Sequence, residues 1–149
     1  NGPAPEQDTE LSVLVGSAIF CRRALFEEIG GFDPAIFLYH EDDDLSLRLR
    51  NHGPLMYCHA ARVVHLSGHG SPRLPKTAAF KAYYSARSRA YVQAKYGHPR
   101  PLLSTLGSAI LRVIGPDTLL SKRRRAKNLG YLKGALSAFR DGGRHASEV

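Results

Sequence analysis

The stretch Phe37–Gly53, FLYHEDDDLSLRLRNHG, sets Glu41, Asp42, Asp43 and Asp44 side by side behind an aromatic run. Leu45 and Leu49 are spaced four apart, as are Asp44 and Arg48, so the pattern predicts a helix from Glu41 to Asn51. His52-Gly53-Pro54 stops it. Carboxylates in a first helical turn are stabilised by the free N–H groups and the dipole, by about 0.3–1 kcal/mol each. That accounts for one or two acids, not for four in succession. Consecutive helical residues point in different directions, so Asp44 can face Arg48 while a neighbour points into a cleft. A calcium loop needs alternating acids, a central Gly and a closing Glu, all absent here. A DDxxD reading fails at Ser46, and HEDDD is not HExxH. Asp42-x-Asp44 has DxD spacing, but that motif follows a strand and opens into a loop, whereas this one opens a helix.

Outward from this stretch, the chain reads as strands and short helices before it and long helices after it. The opening NGPAPEQDTE is a polar, Pro-containing loop, and LSVLVGSAIFC (11–21) has the apolar character of a buried strand, with Gly16-Ser17 as an interruption or close-approach point. RRALFEEIGG reads as a short helix closed by Gly30-Gly31, and Pro34 discourages helix at Asp33. LMYC and ARVVHL (61–66) read as two short strands, followed by a glycine-rich loop, SGHGSPRLP. KTAAFKAYYSARSRAYVQAKYG is helical, with Phe80, Tyr84, Ala90 and Tyr91 as inner positions. PLLSTLGSAILRVIG places Leu102, Leu106, Ile110, Val113 and Ile114 on one face. A last basic helix carries Leu129, Leu132, Leu136 and Phe139 on one side and Lys122, Arg123, Arg124, Arg125, Lys127 and Lys133 around it.

A chain of 149 residues with 43% hydrophobic composition suffices for an ordinary folded core. The net charge of +8 is uneven: residues 1–72 hold five Lys/Arg against ten Asp/Glu, the remainder sixteen against three. An acidic working region is thus followed by a basic surface suited to phosphates or anionic lipid. No recognised nucleic-acid fold or aromatic stacking platform accompanies these charges, which argues against nucleic acid. No run of about 18 apolar residues is present to span a membrane. Cys21 and Cys58 lack CxxC spacing and are expected as buried thiols in a reducing compartment.

Four ordered motifs carry a resemblance. They are the G-x-A-x-x-x-R-R run (Gly16 to Arg23), the GGFD turn (Gly30–Asp33), F-x-Y-x-E-D-x-D-L (Phe37–Leu45) and V-x-H (Val63–His65). Together, over roughly Leu11 to Gly97, they closely resemble the second half of the catalytic domain of family 2 glycosyltransferases, GT-A-fold enzymes that include rhamnosyl- and galactofuranosyl-transferases. The resemblance implies an α/β fold: a partial GT-A-type domain lacking its N-terminal nucleotide-binding half, with C-terminal helices. Residues 1–98 are then the acceptor-side half and 99–149 a basic amphipathic helical tail.

The resemblance also implies roles. Asp42 matches the catalytic base of the family's ED motif, Glu41 its acidic neighbour, and His65 the histidine that helps to bind a divalent metal. That metal, Mg2+ or Mn2+, is shared with a DxD motif absent from this chain. His69 is a weaker ligand candidate, and Arg87, where relatives carry Arg-Asn but Ser88 follows here, a weaker diphosphate contact. The implied function is inverting transfer of a sugar from a nucleotide-sugar donor to a cell-surface glycan or lipid-linked acceptor. The implied place is the cytoplasm, at the inner face of the cell membrane, with peripheral contact to anionic lipid. A chain without the donor half is expected to be inactive on its own. The competing reading is a non-catalytic basic module that docks on membranes or polyanions.

Overall fold

In the computed structural model, residues 4–65 and 72–142 are described. The chain divides into two units, one from Asn1–Asp33 with Glu41–Leu66 and the other from Pro34–His40 with Ser67–Val149.

In the first unit, β1 (Thr9–Leu11) pairs antiparallel with β2 (Leu55–Tyr57), setting Leu11 opposite Leu55 and Thr9 opposite Tyr57. Helix α1 (Arg23–Glu28) ends where the GGFD turn needs left-handed backbone, with Gly30 at φ +82° and Gly31 at φ +66°. The Gly31 N–H donates to the Phe26 carbonyl at 2.8 Å, and Phe32 meets the Phe26 ring edge-on at 5.6 Å. Helix α2 (Glu41–Leu49) is followed by one 3-10 turn (Arg50–His52) before Gly53 releases the chain. Leu45, Leu49 and Leu55 form the buried centre, and Leu14, Ile19, Cys21, Leu25, Phe26 and Ile29 pack on it.

Two expected strands are not formed. Of residues 11–21 only Leu11 joins the ladder. Further along, the Leu14 and Gly16 N–H groups donate to side chains of α2, at 2.9 and 2.8 Å, in place of a neighbouring strand. Residues 61–65 lie exposed outside any ladder, and Leu66 falls outside the described residues. Both cysteines are free, and Cys58, expected to be buried, is exposed.

The second unit is helical: α3 (Pro75–Lys95), α4 (Pro101–Ile114), the single turn α5 (Asp117–Leu120) and α6 (Lys122–Arg140). Pro75 and Pro101 open α3 and α4 at positions where a missing N–H costs nothing. The Ser121 hydroxyl caps α6, accepting from the Arg124 N–H at 3.1 Å. Along α3, Ala78, Ala82, Ala86 and Ala90 recur every fourth residue and are buried. On α6 the buried series is Gly130, Gly134 and Ala138. A Cβ at Gly130 would run into the Ala79 carbonyl, and one at Gly134 into the Tyr83 carbonyl. The helices therefore meet backbone to backbone, and α3 packs with α6 and α4, so the compact units do not separate at residue 98.

This small-residue seam displaces part of two expected inner faces, although Ala90 is buried and Leu132 packs on the core as expected. Phe80 is 49% exposed and stacks with Tyr84 and Phe37 on the outside of α3, with ring centroids 4.9 and 6.2 Å away. Leu129, Leu136 and Phe139 of α6 are 42–48% exposed, because only Gly and Ala fit the contact with α3. On α4, Thr105 and Ala109 are buried while Leu103, Ile110, Leu111 and Ile114 are exposed. Among the described residues no helix is long and apolar enough to cross a membrane.

Candidate active site

The site is built from the start of α2. Tyr39 and His40, just before it, both take left-handed backbone, with φ of +65° and +66°. Two successive non-glycine residues in that region cost about 1 kcal/mol or more each, strain of a kind that collects at functional sites. All four acids then fall in the first turn of α2, and Arg48 in its last, both in accord with the helix dipole.

The four carboxylates have different environments. Asp44 is fully buried, and its Oδ2 lies 2.9 and 2.8 Å from Nε and Nη2 of Arg48. Arg48 also donates through Nη1 to the Ile29 carbonyl at 2.8 Å, so the pair ties α2 to the end of α1. Asp44 is thereby committed to structure. Among the described residues, Asp42 is held by backbone N–H groups. Its Oδ2 accepts from the Gly16 N–H at 2.8 Å and its Oδ1 from the Asp43 N–H at 3.0 Å. An ionised carboxylate has about four lone-pair sites, so two stay open on a side chain that is only part-buried. Glu41 presents a buried Oε2 without a hydrogen-bond partner among the described residues. A buried oxygen in that condition costs stability unless something donates to it.

Gly16 and Ser46 complete the arrangement; the sequence marks Gly16 as an interruption or close-approach point without its partner, and does not single out Ser46. Side chains four apart on a helix lie on the same face. Leu14 and Gly16 are thus matched to Ser46 and Asp42. A Cβ at residue 16 would lie 3.1 Å from Asp42 Oδ2 and 3.2 Å from its Cβ, so glycine lets the carboxylate approach. The signal was present in the G-x-A motif: a glycine inside an apolar run marks close approach of another group.

His65 lies exposed on the segment beyond β2. Among the described residues no three His, Cys, Asp or Glu side chains come together to hold a metal ion. The described residues do not by themselves make a metal centre. His69 lies outside the described residues. Arg87 belongs to the helical unit and is neither solvated nor open to a diphosphate. Its side chain is buried, and Nη1 donates to Asp141 Oδ2 at 2.7 Å and to Ser137 Oγ.

Comparison with known proteins gives a partial match. Over 63 residues, 42% of this chain, the sequence is 43% identical to N-acetylglucosaminyl-diphospho-decaprenol L-rhamnosyltransferase from two strains of Mycobacterium tuberculosis. A glycosyltransferase relationship follows from that stretch. The match covers 20% of the length of these relatives. No protein-family model matches the chain, and no solved structure matches it.

Proposed function

We propose that the chain is the acceptor-side part of an inverting family 2 glycosyltransferase with a GT-A-type α/β domain. It transfers a sugar from a nucleotide-sugar donor to a cell-surface glycan or lipid-linked acceptor. The observation that carries this reading is Asp42: a part-exposed carboxylate, oriented by two backbone N–H groups with lone pairs to spare. The likeness to a rhamnosyltransferase supplies the reaction class.

Asp42 acts as general base. The acceptor hydroxyl donates to its carboxylate, and the proton passes to Asp42 as the hydroxyl oxygen bonds to the anomeric carbon. The bond from that carbon to the nucleoside diphosphate breaks on the opposite face, so the configuration inverts. The backbone N–H groups stabilise the carboxylate and fix its direction before the acceptor arrives. Glu41, beside it, is the supporting acidic neighbour, with its Oε2 buried.

The protein works at the cytoplasmic face of the cell membrane, with peripheral contact to anionic lipid. The exposed Leu103, Ile110, Leu111 and Ile114 of α4 and the basic residues of α6 support this placing. The same features favour the second reading, a docking module without catalysis.

The test is the stereochemistry of the product made by the full-length enzyme from nucleotide-sugar donors. Proton NMR of the new linkage should show the anomeric configuration inverted relative to the donor. A retained configuration, or no transfer to either polyprenyl-diphosphate sugars or cell-surface glycans, would remove the proposal.

A further inference from the structure

The helical unit contains a cavity of about 460 Å³ that the reaction above does not use. Its walls include Lys81 of α3, Arg112 of α4, and Arg123 and Lys127 of α6, with Tyr39 and Tyr131 as aromatic walls and no acidic side chain among the described lining residues. Folding brings these cations from three helices to one place, although like charges repel. Arg123 and Lys127 are one helical turn apart on an exposed face, where nothing in the packing requires them. The guanidinium of Arg112 lies over the Tyr131 ring, 4.5 Å from its centroid. Tyr131 itself is 4% exposed, and its buried hydroxyl has no hydrogen-bond partner among the described residues. A buried phenolic hydroxyl normally finds an acceptor. A second cavity, lined by Arg124 and Asn128 among others, adjoins the first through Arg112 and Lys127 and extends the cationic surface.

We propose that this cavity is a binding site for a diphosphate group, held by Lys81, Arg112, Arg123 and Lys127 with the Tyr131 hydroxyl donating to a phosphate oxygen. Several cations on separate helices suit an anion of multiple charge better than a single carboxylate. Arginine adds a planar donor set that matches phosphate oxygens. The proposal holds whether or not the Asp42 chemistry is correct. A diphosphate can arrive free in solution or borne on a lipid, and the two sources share these contacts.

The test uses the 149-residue chain, titrated with inorganic pyrophosphate and, separately, sedimented with phosphatidylcholine vesicles with and without a diphosphate-headgroup lipid. Lys127→Gln and Arg123→Gln should each weaken binding at least several-fold in whichever arm shows it. Lys133→Gln removes an equal charge from α6 outside the cavity and should leave binding within twofold. Tyr131→Phe should weaken binding while leaving the melting temperature equal or higher, since no internal hydrogen bond is lost. Saturable binding of pyrophosphate assigns the site to a free ligand; binding only to the diphosphate-bearing vesicles assigns it to a lipid. The proposal is overturned if neither arm binds. It is equally overturned if Lys133→Gln weakens binding as much as Lys127→Gln, which would mean diffuse attraction to a basic surface.

Discussion

The two units bury their backbones by opposite means. Around α2, polar side chains reach across to the main chain: Ser46 to Leu14, Asp42 to Gly16, Arg48 to Ile29. Between α3 and α6 alanine and glycine let the two backbones touch, and the polar side chains there, Arg87 with Ser137 and Asp141, bond to one another. The first arrangement holds particular groups at particular angles, which a catalytic carboxylate requires. The second holds a scaffold, in which tolerance for added volume is nearly absent.

Substitutions that add volume or orphan a polar group separate these two modes. The largest loss of stability is expected for Gly134→Ala, whose new methyl meets the Tyr83 carbonyl and forces α3 and α6 apart. A loss of about 3 kcal/mol, at the upper end of ordinary overpacking, should appear as a lower urea midpoint by circular dichroism. An unchanged midpoint would mean that the helices are not in backbone contact. Next is Asp141→Ala, which leaves the buried Arg87 guanidinium without its carboxylate. Because Asp141 is a third exposed, about 2 kcal/mol is expected in place of the 3–5 of a fully buried pair.

Ser46→Ala moves the comparison to the other unit. It leaves the Leu14 N–H without its acceptor and should cost about 1–2 kcal/mol. Hydrogen exchange at Leu14 should accelerate, and unchanged protection would show that the amide has another acceptor. Smallest is Leu136→Ser. A face at 44% exposure predicts a change within about 0.5 kcal/mol, whereas a loss of 2 or more would restore the leucine face as the inner one.

The elements were legible where glycine and proline punctuate the chain. Gly30-Gly31 ends α1, Gly53-Pro54 follows the turn after α2, and Pro75 and Pro101 open α3 and α4. The pairing of Asp44 with Arg48 was legible as well, from spacing alone. The inner faces of α3 and α6 were legible only at Ala90 and Leu132, because leucine and phenylalanine weigh more in an apolar pattern than glycine and alanine. Shape selected the smaller residues at that seam. The apolar run 11–21 reads as strand, yet its N–H groups are met by Ser46 and Asp42, more than 25 residues away in the chain. Nothing local encodes that pairing except Gly16. Asp42 could be singled out only through its neighbours on both sides, and the Gly16 contact now supplies a physical reason for its orientation. Gly16→Ala should therefore lower turnover of the full-length enzyme with little change in donor KM, and a normal rate would separate the glycine from the chemistry.

Turnover of Asp42→Asn in the full-length enzyme measures the general-base role most directly. The amide keeps an acceptor oxygen for the Gly16 N–H but cannot take the hydroxyl proton. Loss of a positioned base predicts a fall in kcat of about 10²–10⁴ with donor binding retained. A variant that transfers sugar at close to the normal rate would contradict the assignment of Asp42 as the base.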